Sequence, residues 1–359
     1  MLRGLEWVAC ADVRADVAAS KAQRYGLQAL DVDALLRRPD IDIVLNLTVP
    51  AAHRQISLAA IAAGKHVYSE KPLAVNVAEG REILRAAAKA GVRVGVAPDT
   101  ILGAATQTTR RLIDSGALGK ILFGWSTVLS HGTEHWHPAP DFLYKAGGGP
   151  VFDFGPYSLA TLVTLLGPVA TVTAVGQIGN EKREISAPNS PRRGEFIPVE
   201  VLTTLQGLLG FAAGPQVSFI ISWDAWNGTA VPLELHGTEG SLQLPDPNWF
   251  GGDILLTRRD QPRQTLSTQD SPSGRSNYRL HSGATAANYR GLGLAEMAQA
   301  IEAGRPHRVD GQMGLHLLAV MESLLDAAQD PRIITIADSC ARPAALSDGE
   351  AAVLLGATR

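Results

Sequence analysis

The sequence predicts an α/β half built on a parallel sheet, followed by an α+β half built on a mainly antiparallel sheet. Three observations predict it. Strand-like and helix-like segments alternate up to about residue 100, the mark of parallel strands with helices on both faces. Beyond that point strands follow one another, separated by Gly, Asn and Pro turns, as antiparallel strands do. The 359 residues are 45% hydrophobic and 19% charged, which supplies apolar material for about two cores. The expected domains are residues 1–100 and 101–359.

Each element has its own signal. "LEWVACADV" reads as a strand over 5–11, and the Ala-rich "ADVAASKAQRYG" as a helix stopped by Gly26. "ALDVDALLRRPD" reads as a short strand and a short helix, and "IDIVLNLTV" as a buried β-branched strand. "PAAHRQISLAAIAAG" opens on Pro50 and stops at Gly64, the asymmetry of a helix. "KHVYSE" is a strand, "NVAEGREILRAAAKAG" a helix capped by Asn76, and "VRVGVAP" the last strand of the first half. In the second half, "TQTTRRLIDSGALG" is a helix and "KILFGWSTVLSHG" a strand. A Gly-rich elbow enters the apolar helix of "GGGPVFDFGPYSLATLVTLLGPV". The strands "ATVTAVGQIG", "EFIPVEVLTTLQ", "LLGFAAG", "QVSFIISWDAW", "AVPLELHG" and "GSLQL" follow, and two helices, "GLGLAEMAQAIEAG" and "GQMGLHLLAVMESLLDAAQ", close the chain. The polar stretches 181–195 and 257–290 read as loops.

The bulk numbers exclude several classes. A net charge of −3 and a pI near 6.3 provide no basic stripe for nucleic acid and no polybasic membrane patch. Two distant cysteines, Cys10 and Cys340, argue against a disulfide framework and for a reducing cytosol. No apolar run is long enough to span a bilayer, and the N-terminus lacks the pattern of a signal peptide. A soluble cytoplasmic protein is expected.

Asp12 follows the first strand. In dinucleotide-binding folds a carboxylate there accepts the ribose hydroxyls and disfavours a 2′-phosphate, so NAD is expected before NADP. Such an acid lies about 20 residues after a G-x-G-x-x-G turn, whereas Asp12 has only eleven residues before it. The nearest pattern, "GLGLAE" from residue 291, lacks the third glycine and reads as a helix entry. The first half is therefore a Rossmann-like sheet whose first β–α unit is missing. One expectation is an upstream start adding about 25 to 30 residues, the usual size of that unit. The other is a chain that lacks the unit and holds cofactor weakly or not at all.

"HVYSEKPLA" places Lys71 at the end of a strand, where such folds bind ligands. Partial burial there is expected to lower a lysine from about 10.4 towards 7 or 8, where it exchanges protons. Pro72 admits a cis bond that would aim the side chain. A lysine in a surface turn is the plain alternative. The stretch from "DIDIVLNLTVP" to "GVRVGVAP" resembles the Gfo/Idh/MocA family of oxidoreductases, through Thr48, Pro50, His53, Ala63-Gly64-Lys65-His66-Val67 and Glu70-Lys71-Pro72. The likeness continues through "RRLIDSGALGKI" and "GGGPVFDFGPYSLATLVTLLGPV".

That resemblance implies a Rossmann domain, a second domain with an open-faced sheet, and NAD(P)-dependent hydride transfer on a sugar or polyol. It implies that Lys71 bridges cofactor and reacting hydroxyl, and that Thr48, Pro50, His53, Glu70 and Pro72 lie on the cofactor side. Asp153 and Tyr157 in "FDFGPYS" are spaced to share one helix face. On spacing alone they are equally a cap and a core residue. In the family this pair orients substrate, leaving Lys71 or Tyr157 as the proton carrier.

"SHGTEHWHPAPDFLY" holds Glu134, His135 and His137, a weak metal pattern with no second ligand motif; no metal is expected. Trp136 and His137 are candidate sugar contacts in what is otherwise a solvated loop. Asp99, past "VGVAP", is a candidate substrate contact or a helix cap. The open sheet predicts a homodimer or homotetramer. The rival functions are a non-catalytic nucleotide- or sugar-binding regulator on the same fold and an NAD-dependent glycoside hydrolase.

Overall fold

The computed structural model describes residues 2–226, 228, 230–280 and 283–356. In the first half β1 (Ala9–Ala11), α1 (Ala15–Tyr25), β2 (Gln28–Leu30), α2 (Val32–Arg37), β3 (Ile43–Asn46), α3 (Pro50–Ala62), β4 (His66–Ser69), α4 (Val77–Ala90) and β5 (Val94–Val96) alternate as predicted. β1 pairs in parallel with β2, and β3, β4 and β5 form a second parallel ladder in that order. The strand expected over 5–11 shortens to three residues, because its one ladder partner, β2, offers three positions. Pro50 sits in the first turn of α3, where its missing N–H costs nothing. The Asn76 side chain accepts from the Glu79 N–H and starts α4.

The second half contains α5 (Ala104–Asp114), β6 (Ile121–Leu129), α6 (Gly149–Asp153), α7 (Gly155–Leu166), β7 (Val169–Gln177), β8 (Lys182–Glu184), β9 (Phe196–Pro198), β10 (Thr204–Phe211) and β11 (Gln216–Ser222). It continues with β12 (Leu233–Gly237), β13 (Gly240–Leu244), β14 (Ile254–Arg258), β15 (Gln264–Leu266), β16 (Tyr278–Arg279), β17 (Thr285–Ala286), α8 (Leu292–Glu302), α9 (Gly311–Gln329), β18 (Ile334–Thr335) and α10 (Asp348–Leu354). Nine strands form one sheet in the order β15-β14-β13-β12-β6-β11-β10-β7-β18. Only β6 and β11 run parallel. One face buries Leu205, Leu209, Val217, Phe219, Ile221, Leu233 and Leu235 in the main core. The other leaves Phe123, Val175 and Leu208 exposed.

Three expectations change. The strand predicted from 195 splits: β9 pairs with β8, and β10 joins the large sheet. The stretches read as loops hold β8, β15, β16 and β17, strands too short to display an alternating pattern; His281 and Ser282 lie outside the described residues. The single helix expected through "FDFGPYS" is two, α6 and α7, broken at Phe154. Pro156 marks a helix start, as a proline tolerated in a first turn should: it stands in the first turn of α7.

The second half also covers the first. α9 packs on α4 and β5, with a bridge between Gly95 and Asp310. Leu294 and Met297 of α8 bury Tyr68 of β4. The C-terminal end of β4 therefore opens directly towards α6 and α7.

Candidate active site

Lys71 follows β4, and its peptide to Pro72 is cis. Its ammonium reaches the other half of the molecule. Nζ donates to the Asp153 backbone carbonyl at 2.7 Å and to Asp153 Oδ1 at 2.8 Å. It also lies 5.5 Å from the centre of the Tyr157 ring. The side chains of Lys71 and Asp153 are 14% and 21% exposed, so the pair is largely shielded yet open at one side. An ammonium has three donors; Asp153 takes two and leaves one.

The expectation of a lysine lowered towards neutrality is reversed by the partner that the fold supplies. Burial pulls Lys71 down, but the charge of Asp153, helped by Tyr157, the bond to Asp153 and Glu70, outweighs it and raises Lys71 above its ordinary value. Asp153 and Tyr157 do lie together, though not on one helix face. Asp153 is the last residue of α6 and Tyr157 stands in the first turn of α7.

Two predicted contacts have other work. His53 is fully buried, with Nδ1 2.7 Å from the Pro72 carbonyl and Nε2 2.9 Å from the Thr48 carbonyl. The ring lies between the loop after β3 and the loop after β4, where a neutral imidazole donates to one of the two carbonyls, and no part of it is exposed. Asp99 is 4% exposed, and its Oδ2 accepts from Gly291 N at 2.8 Å and Gly293 N at 3.0 Å. It holds the start of α8 and has no free face for substrate. Burial raises Asp99, and the two backbone donors only partly offset that.

The remaining cofactor-side candidates lie at strand ends. Thr48 is exposed after β3, its hydroxyl donating to Asn46 Oδ1 at 2.7 Å. Pro50 opens α3. Glu70 Oε2 accepts from the Lys71 N–H at 3.1 Å, and Pro72 is buried. Asp12 is exposed just past β1, one carboxylate oxygen accepting from Arg14 N at 2.9 Å and the other making no hydrogen bond among the described residues. These groups suit the nicotinamide and ribose ends of a dinucleotide. No glycine turn joins a strand to a helix in this half among the described residues, so no pyrophosphate cradle accompanies them.

No hydrogen bond or ring contact ties the 130–144 loop candidates to Lys71. Trp136 is 49% exposed, with its ring edge-on to His137 at 5.5 Å. His137 Nδ1 accepts from Ala139 N. Glu134, weighed as a metal ligand, is buried between Arg183, at 2.8 Å, and the Tyr144 hydroxyl.

Two residues escaped the sequence reading. The Arg290 guanidinium lies 5.8 Å from the centre of the Tyr157 ring and 5.3 Å from that of Trp249. The only sequence hint was the position of Arg290 beside Gly291, which opens α8 at φ 101°. "GLGLAE" is indeed a helix entry.

Residues 2–97 match the family described as "Oxidoreductase family, NAD-binding Rossmann fold", and residues 106–243 match the "GFO/IDH/MocA C-terminal domain". The 1,5-anhydro-D-fructose reductase of Ensifer adhaerens is 28% identical over 90% of this chain and 89% of its own length. The levoglucosan dehydrogenase of Pseudarthrobacter phenanthrenivorans is 28% identical over 65% of this chain, which spans less than two thirds (63%) of that protein. A crystal structure of an NAD binding oxidoreductase from Klebsiella pneumoniae superposes with a TM-score of 0.77 at 25% identity, covering 92% of this chain and 90% of that one.

Proposed function

We propose that this protein, which belongs to the Gfo/Idh/MocA family of NAD-binding oxidoreductases, transfers a hydride between nicotinamide and the hydroxyl-bearing carbon of a sugar or polyol. The observation that carries this is Lys71, an ammonium fixed by two bonds to Asp153 with one N–H unspent. NAD, when bound, supplies or accepts the hydride at nicotinamide C4. In reduction the substrate carbonyl carbon gains that hydride while its oxygen takes a proton from Lys71 Nζ; solvent then restores the proton. In oxidation Lys71 first gives a proton to solvent, and the amine then takes the hydroxyl proton as the O–H and C–H bonds break. Asp153 holds the amine and Tyr157 lines the substrate side. Asp12 favours NAD over NADP, because a 2′-phosphate would meet its charge.

The division into a cofactor half, residues 1–100, and a substrate half, 101–359, belongs to this reading, as do Thr48, Pro50, Glu70 and Pro72 on the cofactor side. Trp136 and His137 are sugar contacts in the same reading, reached once the 130–144 loop meets a substrate. The sheet face bearing Phe123, Val175 and Leu208 suits a second copy of the chain; sedimentation tests a dimer or tetramer. No helix among the described residues is long and apolar enough to cross a membrane.

The test is reduced-nicotinamide absorbance with NAD and a panel of sugars and polyols. Turnover is expected, with Lys71→Ala lowering it about 100- to 10,000-fold. NAD binding without turnover of any sugar would point to a non-catalytic binding protein instead.

A further inference from the structure

We propose that Arg290 makes this site selective for sugars that carry a carboxylate, such as aldonic or uronic acids. The inference rests on the oxidoreductase reading and names its substrate class.

Arg290 is held in place from several sides. The turn that carries it is pinned by the Asp99 carboxylate through Gly291 N and Gly293 N. Its Nη1 donates to Asn288 Oδ1 at 3.1 Å, and its Nη2 to the Asn248 carbonyl at 3.1 Å and Asn248 Oδ1 at 2.6 Å. Asn288 is itself locked to Asn277 by a reciprocal pair, Asn277 Nδ2 to the Asn288 carbonyl and Asn288 N to Asn277 Oδ1. Trp249, against which the guanidinium lies, stacks in turn on Tyr278 at 5.9 Å and 24°.

Every hydrogen-bond partner of the guanidinium is neutral. Among the described residues no carboxylate lies within ion-pair distance of Arg290. The Nε–H makes no hydrogen bond among them, and Nη1 uses only one of its two. The side chain is exposed, and Asp99 and Asp246 act on its charge from beyond ion-pair distance; what it keeps open is its Nε donor and one Nη1 donor. It shares the Tyr157 ring with Lys71, which lies 5.5 Å from that ring, Arg290 lying 5.8 Å from it. Tyr157 thus links Arg290 to the site that Lys71 anchors.

Lys71 cannot serve the same purpose, because Asp153 already neutralises it. A neutral polyol would meet the open Arg290 donors one hydroxyl at a time. A carboxylate meets them with a planar pair of charged oxygens that matches the guanidinium fork. The chemistry is unchanged: the carbinol C–H would leave as hydride to NAD, the O–H proton would pass to the amine form of Lys71, and the carboxylate is a spectator held by Arg290.

The test compares D-gluconate and D-glucuronate with D-glucitol and D-glucose, in the wild type, Arg290→Gln and Arg290→Lys. Both kcat/KM with NAD and the thermal shift produced by each compound alone are read. The wild type should prefer the acids, and Arg290→Gln should lower kcat/KM for the acids about 10- to 100-fold more than for the neutral compounds. Arg290→Lys should recover part of the loss, and the acids should stop stabilising Arg290→Gln. Equal losses for acids and neutral sugars, or a wild type indifferent to charge, would overturn the inference while leaving the oxidoreductase reading intact. Acid-specific stabilisation lost in Arg290→Gln, with no redox turnover of any compound, would uphold Arg290 and sink the oxidoreductase reading.

Discussion

Replacing Asp153 by Asn tests whether a carboxylate keeps Lys71 charged. The substitution preserves shape, and the bond from Nζ to the Asp153 backbone carbonyl at 2.7 Å survives it. What disappears is one negative charge 2.8 Å from Nζ. Two unit charges at that distance attract by about 1.5 kcal/mol under bulk-water screening and about 6 kcal/mol at an effective dielectric near 20. The pair is shielded but not sealed, so about 2 to 3 kcal/mol is a fair share for the charge alone. That is about a 30- to 150-fold fall in the ratio of ammonium to amine at a given pH. In the wild type Lys71 is raised, so the ammonium persists through neutral pH and is lost only as pH climbs through the alkaline range. In Asp153→Asn burial acts without its main opponent, and the loss of the proton moves to lower pH. Nitrogen-15 NMR of labelled lysine, titrated from pH 6 to 11 in the unliganded protein, reads this directly. The alkaline fall in reductive kcat/KM should move the same way. A Lys71 titration that stays put in Asp153→Asn, or moves to higher pH, would refute the assignment of Asp153 as the group that holds the proton.

Three further outcomes follow from contacts around the site. His53→Leu leaves the Thr48 and Pro72 carbonyls without their buried partner; urea unfolding should show a loss of about 2 to 4 kcal/mol, with KM for NAD rising as the two loops loosen, and an unchanged KM would argue against the strut. Glu296 is fully buried and holds Arg305 at 2.6 Å and Arg308 at 2.8 Å, so Glu296→Ala should cost about 3 to 5 kcal/mol; a loss below about 1 kcal/mol would show that the two arginines find other partners. Gly293→Ala would drive a methyl group into the Tyr68 hydroxyl and to within 2.7 Å of Asp99 Cβ, costing about 1 to 3 kcal/mol. The Tyr68 hydroxyl is buried and unpartnered, so Tyr68→Phe should recover part of that cost, and strictly additive losses in the double variant would contradict the packing.

The sequence was most informative where chemistry and chain direction coincide. A lysine and a proline directly after a buried parallel strand point to the mouth of the sheet, and Lys71 stands directly after β4. Alternating strands and helices, Pro50 at a helix start and Asn76 as a cap are local features, and they survived intact. The failures share a different cause. His53 and Asp99 are polar residues near strand ends, a position that suits ligand contact and loop anchoring equally; burial separates the two, and burial is decided by α8 and by the Pro72 loop. Asp153 and Tyr157 were paired correctly by spacing, yet the helix expected to pair them breaks between them. Arg290 shows the limit most sharply. Its neighbours in the site, Tyr157 and Trp249, lie far from it in sequence, and nothing near residue 290 marks it as functional. The direction of the shift at Lys71 has the same origin. Burial alone predicts a lowered lysine, and only the partner 82 positions away reverses the sign. Local sequence places a lysine at a strand end; its charge state and its reach are set by residues that the fold brings from the other half.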